Sequence, residues 1–161
     1  MLLIEGPRNV GKTFLLKDYK VEKFSSLEYI ENKSNDFSWG FTLGKDLMLK
    51  YLIKFLPKNT IFDRGFLSTA VYAKLFNRAS DNEIDKYLES FIGIDEIKIV
   101  YIKGYNPNQR IKDSMDYLNY KDQEKIYDTY IRRFPHINFI NNFNEKSVEE
   151  FKELLSEHFG L

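Results

Sequence analysis

Residues 6–13 read Gly-Pro-Arg-Asn-Val-Gly-Lys-Thr, a full fit to G-x-x-x-x-G-K-[ST], and they follow directly on the apolar run Leu2–Glu5. No other feature restricts the fold of the chain as tightly. Each fixed place has a physical reading. The glycines let the backbone turn so that successive N–H groups point inward at phosphate oxygens, and the start of a helix beyond Gly11 adds partial positive charge. Lys12 reaches the β- and γ-phosphates, and the Thr13 hydroxyl is placed to ligate Mg²⁺. The preceding run predicts a strand and Val10–Lys20 predicts a helix, which is the context such a loop needs. The expectation is a nucleoside triphosphate site with Mg²⁺, built from Gly6, Asn9, Val10, Gly11, Lys12 and Thr13.

Beyond the loop, strand-like and helix-like segments alternate. Phe24–Ile30 predicts a second strand, and Leu43–Leu56 a helix with apolar residues at helical spacing, stopped by Pro57. Thr60–Phe62 reads as a short buried strand and Leu67–Asn77 as a helix. Asp81 or Asn82 is expected to cap a helix over Glu83–Phe91. Ile97–Ile102 is a strand rich in β-branched residues. A polar stretch around 106–116 follows, then a helix over roughly Leu118–Phe134 and a last strand at Ile137–Ile140. Ser147, with Glu150 three residues on, has the capping-box pattern for a final helix. Five strands separated by helices predict an α/β fold with a parallel sheet covered on both faces. At 161 residues, with no linker or repeat, one domain over 1–161 is expected.

Composition removes other chemistries. There are no cysteines, so disulfides, thiolate metal sites and cysteine nucleophiles are excluded. The two histidines, His136 and His158, do not suggest a histidine metal site or a Ser–His–Asp triad. With 24 basic and 24 acidic residues, nothing points to a polynucleotide or anionic membrane as partner. No apolar run approaches the ~18 residues of a membrane span, and no signal peptide is evident, so a cytoplasmic location is expected.

The second informative block is Asp63-Arg64-Gly65-Phe66-Leu67-Ser68-Thr69-Ala70-Val71-Tyr72, at the carboxyl end of the third strand. In an open α/β sheet that edge is where ligands sit. Asp63 there can act on Mg²⁺ or accept a proton, and Arg64 can grip an acceptor phosphate bidentately. Ser68 and Tyr72 are four apart and share one helical face toward an acceptor pocket. A GTP-binding switch fits less well. Its Asp-x-x-Gly is not met, because Gly65 follows Asp63 at the second place, and Asn32-Lys33-Ser34-Asn35 lacks the Asp of Asn-Lys-x-Asp.

On Asp63, Arg64, Ser68 and Tyr72, which meet Asp-Arg-x-x-x-Ser-x-x-x-Tyr, and on Ile4-Glu5-Gly6-Pro7 leading into the loop, the chain resembles the thymidylate kinases and their deoxynucleoside-kinase relatives, small phage-type members included. The resemblance implies a P-loop NTPase fold of the nucleotide-kinase type, a five-stranded parallel sheet in the order 2-3-1-4-5. It implies transfer of the ATP γ-phosphoryl group to a (deoxy)nucleoside monophosphate, thymidylate first. Lys12 would stabilise the transferring group, Thr13 and Asp63 would organise Mg²⁺, and Arg64 would hold the acceptor. Arg110, in a lid-like segment over about 104–118, would close over the phosphates. Phe143 and Asn144 fall where the family holds adenine. The family's common dimer implies a homodimer.

Departures from the family pattern concern the acceptor half. Arg8 stands where an acid usually contacts the sugar, Ala73 replaces a polar residue, and Lys45 and Asp46 stand where a base-reading arginine is expected. The lid holds Arg110 and Lys112, and lysine lacks arginine's bidentate fork. Trp39 and Phe41 are candidates to stack on an acceptor base. Glu28 or Glu31 would be the general base if the acceptor were a nucleoside hydroxyl. Two alternatives therefore stand beside a small-molecule nucleotide acceptor. One is a kinase of a nucleoside or of a nucleic acid 5′-hydroxyl end, the only way a nucleic acid would enter. The other is a nucleotide-binding regulatory module without turnover.

Overall fold

The computed structural model describes residues 1–23, 47, 50, 51, 53–104 and 120–161. Five strands form one sheet: β1 (Leu2–Glu5), β2 (Val21–Lys23), β3 (Ile61–Asp63), β4 (Lys98–Lys103) and β5 (Ile137–Ile140). Their spatial order is β2-β3-β1-β4-β5, as expected, and every pairing is parallel. The central strand β1 sets Ile4 beside Asp63 on one side and Val100 on the other, so the ends of β1 and β3 finish level. Five helices complete the described fold: α1 (Lys12–Leu15), α2 (Phe66–Leu75), α3 (Asp81–Glu89), α4 (Tyr120–Ile131) and α5 (Glu145–Phe159).

Strand alternation divides the core between the two faces of the sheet. Met1, Leu3, Phe62, Ile99 and Tyr101 pack with α2, α3 and α4, while Leu2, Ile4, Ile61, Val100 and Ile102 pack with α1 and α5. The same alternation turns Glu5, two residues past Leu3, toward α2 and α4. Eight consecutive residues of α2, Phe66 through Ala73, are buried, so this helix is core on all sides. Among the described residues no helix is long and apolar enough to cross a membrane.

Several boundaries differ from the sequence expectation. The helix expected over Val10–Lys20 is a single turn, Lys12–Leu15. A further turn would place Asp18 beside Leu15, but Asp18 is exposed and pairs with Lys152 of α5 at 2.5 Å. A turn from Tyr19 N–H to the Leu16 carbonyl then starts β2 at Val21, before the expected strand over 24–30, which lies outside the described residues. In the helix expected over Leu43–Leu56, Leu47, Lys50 and Tyr51 are helical and Ile53–Phe55 is a 3₁₀ turn.

Two caps also move. Ser80, rather than Asp81 or Asn82, caps α3 in a reciprocal box with Glu83. Asn144, rather than Ser147, caps α5. Ser147 is buried, and its hydroxyl accepts the Asn142 N–H instead.

Candidate active site

The phosphate loop joins the end of β1 to α1, at the carboxyl edge of the sheet. Gly6 and Gly11 have φ of 146° and 78°, left-handed values that L side chains rarely adopt. Space demands glycine as well. A Cβ on Gly6 would meet the Ile102 carbonyl, and one on Gly11 would meet the Asn141 side chain and the Phe143 ring. Asn9 also has positive φ, at 62°. Val10 is fully buried in the core between sheet and α5, so its side chain anchors the loop and only its backbone faces the site.

Lys12 is 6 % exposed, and its Nζ donates to the Gly6 and Pro7 carbonyls at 2.9 and 2.7 Å. The ammonium thus rests inside the loop. Burial, and then the Arg64 charge, hold it well below its usual pKa, against the pull of Asp63 and Glu5. An arriving anion would relieve both effects. Thr13 sits exposed in the first turn of α1. Because α1 is one turn long, a phosphate in the loop would meet its N–H groups rather than a long helix dipole.

The end of β3 supplies the second group of residues. Asp63 closes the strand, and one of its oxygens, Oδ1, is buried without a hydrogen-bond partner among the described residues. Arg64 follows with φ 73°, a left-handed arginine, which swings its side chain back along α2. Its Nη1 donates to the Tyr72 hydroxyl at 3.0 Å, and the guanidinium lies 5.6 Å from the centre of the Tyr72 ring. Burial opposes the charge on Arg64, but Tyr72, Tyr127, Asp63 and Glu5 outweigh it and raise its pKa.

The expected acceptor wall is built differently. Ser68 is fully buried, and its Oγ donates to Glu5 Oε2 at 2.5 Å and lies 2.6 Å from the Tyr127 hydroxyl. It braces the site from behind instead of lining it. Tyr72 is 5 % exposed and orients Arg64. Trp39, Phe41, Arg110 and Lys112, with Lys45, Asp46, Glu28 and Glu31, lie outside the described residues, as does most of the lid-like segment.

The loop after β5 meets the phosphate loop. Asn141 Nδ2 donates to the Val10 carbonyl at 2.9 Å, and Asn141 Oδ1 accepts the Phe143 N–H at 2.9 Å. Phe143 thereby packs next to Gly11, partly open to solvent. Asn144 uses its side-chain oxygen to cap α5, accepting the Ser147 N–H at 2.8 Å, so that oxygen is engaged within the helix start.

Sequence spacing did not single out Glu5, Gln123, Tyr127 or Asn141. Glu5 carries the clearest signal, an acid at the end of a central strand that is buried on both faces. It is fully buried, and burial pushes its carboxyl up to about 7 against the Ser68 hydrogen bond and the charges of Arg64 and Lys12. Its Oε1 is a second orphaned buried oxygen.

The edge therefore gathers Lys12 and Arg64 around the carboxylates of Asp63 and Glu5. Asp63 Oδ1, orphaned at the end of β3, and the exposed Thr13 hydroxyl at the start of α1 are both oxygen donors, the chemistry that a hard divalent cation such as Mg²⁺ takes. Sheet order, loop position and strand-end residues together define the P-loop NTPase fold of the nucleotide-kinase type.

Solved structures agree on the fold. The chain superposes on the YorR protein of Bacillus subtilis, crystallised in complex with phosphorylated GDP, with a TM-score of 0.59 at 19 % identity, covering 96 % of this chain and 92 % of that one. It also superposes on polyphosphate kinase 2 from Arthrobacter aurescens TC1, with a TM-score of 0.58 at 16 % identity, covering 99 % of this chain and 67 % of that one. No protein-family model and no curated protein matches the sequence.

Proposed function

We propose that the protein is a nucleotide kinase, which transfers the γ-phosphoryl group of ATP to a (deoxy)nucleoside monophosphate. One observation carries this reading. Lys12 is buried in the phosphate loop with its Nζ on the Gly6 and Pro7 carbonyls, its pKa is lowered first by that burial and then by the charge of Arg64 at the end of β3, and Asp63 next to Arg64 holds a partnerless buried oxygen. Such a cluster is poised for more than one phosphate group. The fold shared with a polyphosphate kinase 2, and with a protein crystallised in complex with phosphorylated GDP, supports it.

In this reading the loop amides and Lys12 hold the β- and γ-phosphates of ATP. Lys12 leaves the Gly6 and Pro7 carbonyls to do so. Arg64, oriented by Tyr72, holds the acceptor phosphate bidentately. An acceptor phosphate oxygen forms the new bond to the γ-phosphorus, the bond from that phosphorus to the β-bridging oxygen breaks, and its electron pair stays with ADP. The charge that spreads over the transferring group is met by Lys12 and Arg64. Thr13 and Asp63 would hold Mg²⁺, which would neutralise charge on the bound triphosphate. Thymidylate is the first acceptor to test, because Asp63, Arg64, Ser68 and Tyr72 keep the thymidylate-kinase pattern.

The test is ADP release from ATP–Mg²⁺ against a panel of nucleoside monophosphates, nucleosides, a 5′-hydroxyl oligonucleotide and polyphosphate, with Lys12→Ala as control. Release with one monophosphate, abolished by Lys12→Ala, is expected. Release only with a hydroxyl acceptor would move the reading to a nucleoside or 5′-end kinase. Silence throughout, with ATP still raising the melting temperature, would leave a binding module.

A further inference from the structure

Helix α4 presents Tyr120, Gln123 and Tyr127 on one face, at i, i+3 and i+7. Each reaches a different part of the site. The Tyr120 hydroxyl donates to the Gly104 carbonyl just past β4 at 2.7 Å, and the Tyr127 hydroxyl meets Ser68 Oγ, itself bonded to Glu5. Between them Gln123 is 2 % exposed, and its Oε1 accepts the Arg8 backbone N–H at 3.0 Å across 115 residues of sequence.

A buried amide side chain on a packed helix face is unfavourable unless its polar atoms find partners, and an apolar residue would fill the same volume without that penalty. The partner here is the backbone of the phosphate loop. The peptide unit between Pro7 and Arg8 is pinned at both ends: its carbonyl accepts from Lys12 Nζ, and its N–H donates to Gln123. Proline supplies no N–H of its own, so Arg8 carries the first amide of the loop after Gly6. When Lys12 turns to a phosphate, the carbonyl end is released. Gln123 then remains to hold that peptide plane.

We infer that Gln123 is a positioning residue for the triphosphate, which fixes the Pro7–Arg8 peptide while Lys12 exchanges its carbonyl partners for phosphate oxygens. This rests on the proposed triphosphate site. The test compares wild type with Gln123→Met, which keeps the length and bulk of the side chain and removes the accepting oxygen. The readouts are the dissociation constant of the β,γ-imido analogue of ATP with Mg²⁺, by calorimetry, and the ligand-free melting temperature.

The expected result is affinity weaker by about tenfold in a protein that still melts cooperatively. A merely structural glutamine would lower the melting temperature and leave the affinity of the folded protein unchanged, and that result overturns the inference while wild-type binding upholds the triphosphate site. Wild type that binds no triphosphate overturns both. Should Gln123→Met not fold, exchange of the Arg8 amide in wild type decides. Protection as strong as that of β1 is expected, and exchange as fast as an exposed amide contradicts the inference.

Discussion

At the scale of single residues, Arg64, the proposed anion grip, is held in a backbone position that disfavours it. A non-glycine residue at φ 73° is strained, and the Tyr72 hydroxyl and ring hold the displaced guanidinium in place. Arg64→Ala is expected to raise the acceptor KM by roughly 10- to 100-fold with little change in the KM for ATP, which steady-state kinetics on both substrates would check. Tyr72→Phe should raise the acceptor KM less, because the ring remains under the guanidinium. Equal effects on both KM values would contradict the division into a donor cation and an acceptor cation.

Glu5 makes a separate prediction at the same scale. Its carboxyl titrates near 7 in the folded protein against 4.5 in the open chain, so the folded state binds the proton more tightly. The resulting stability is fully present below pH 4.5 and is lost as the pH rises to about 7. The full span is worth roughly 3 kcal/mol at most. Glu5→Gln should therefore flatten the pH dependence of the melting temperature between those limits. An unchanged slope would show that another group sets it.

At the scale of elements, the caps show what local spacing can and cannot encode. Ser80-x-x-Glu83 and Ser147-x-x-Glu150 are the same pattern, yet only the first caps a helix. The second is overruled because Asn144, three residues earlier, starts α5, and the fold buries Ser147. Replacing Ser80 by Ala is expected to destabilise the protein by about 1 kcal/mol, read from denaturant unfolding, with KM values unchanged. Ser147→Ala should not fray the N-terminus of α5, whereas Asn144→Ala should, as amide exchange along the first turn would show. Strand β2 was hidden for a related reason. Only Val21 of its three residues is apolar, so no periodicity marks it, and its place is set by pairing with β3.

At the scale of the whole molecule, the part of the candidate site that the sequence pointed to is the part made of contiguous residues. The phosphate loop and Asp63–Arg64 each lie within one strand-to-helix connection, where a fixed spacing translates directly into geometry. The sheet order came with the resemblance to the thymidylate kinases, since alternating strands and helices limit the arrangements of a parallel sheet without choosing one. The bracing of the site was not legible. Glu5 with Ser68, Ser68 with Tyr127, and Arg8 with Gln123 join residues 63, 59 and 115 apart, and only the folded sheet brings them together. A buried serine in α2 reads in sequence as a pocket residue, and the fold turns it inward.

If this edge moves a phosphoryl group between two bound molecules, the phosphorus can be followed from one to the other. ATP labelled in the γ-phosphate would be mixed with excess enzyme and the monophosphate selected by the ADP assay, and the label followed over a single turnover. Label is expected on the nucleoside diphosphate product of wild type, and none with Lys12→Ala. Label appearing as inorganic phosphate, or remaining on ATP with every acceptor, would contradict it.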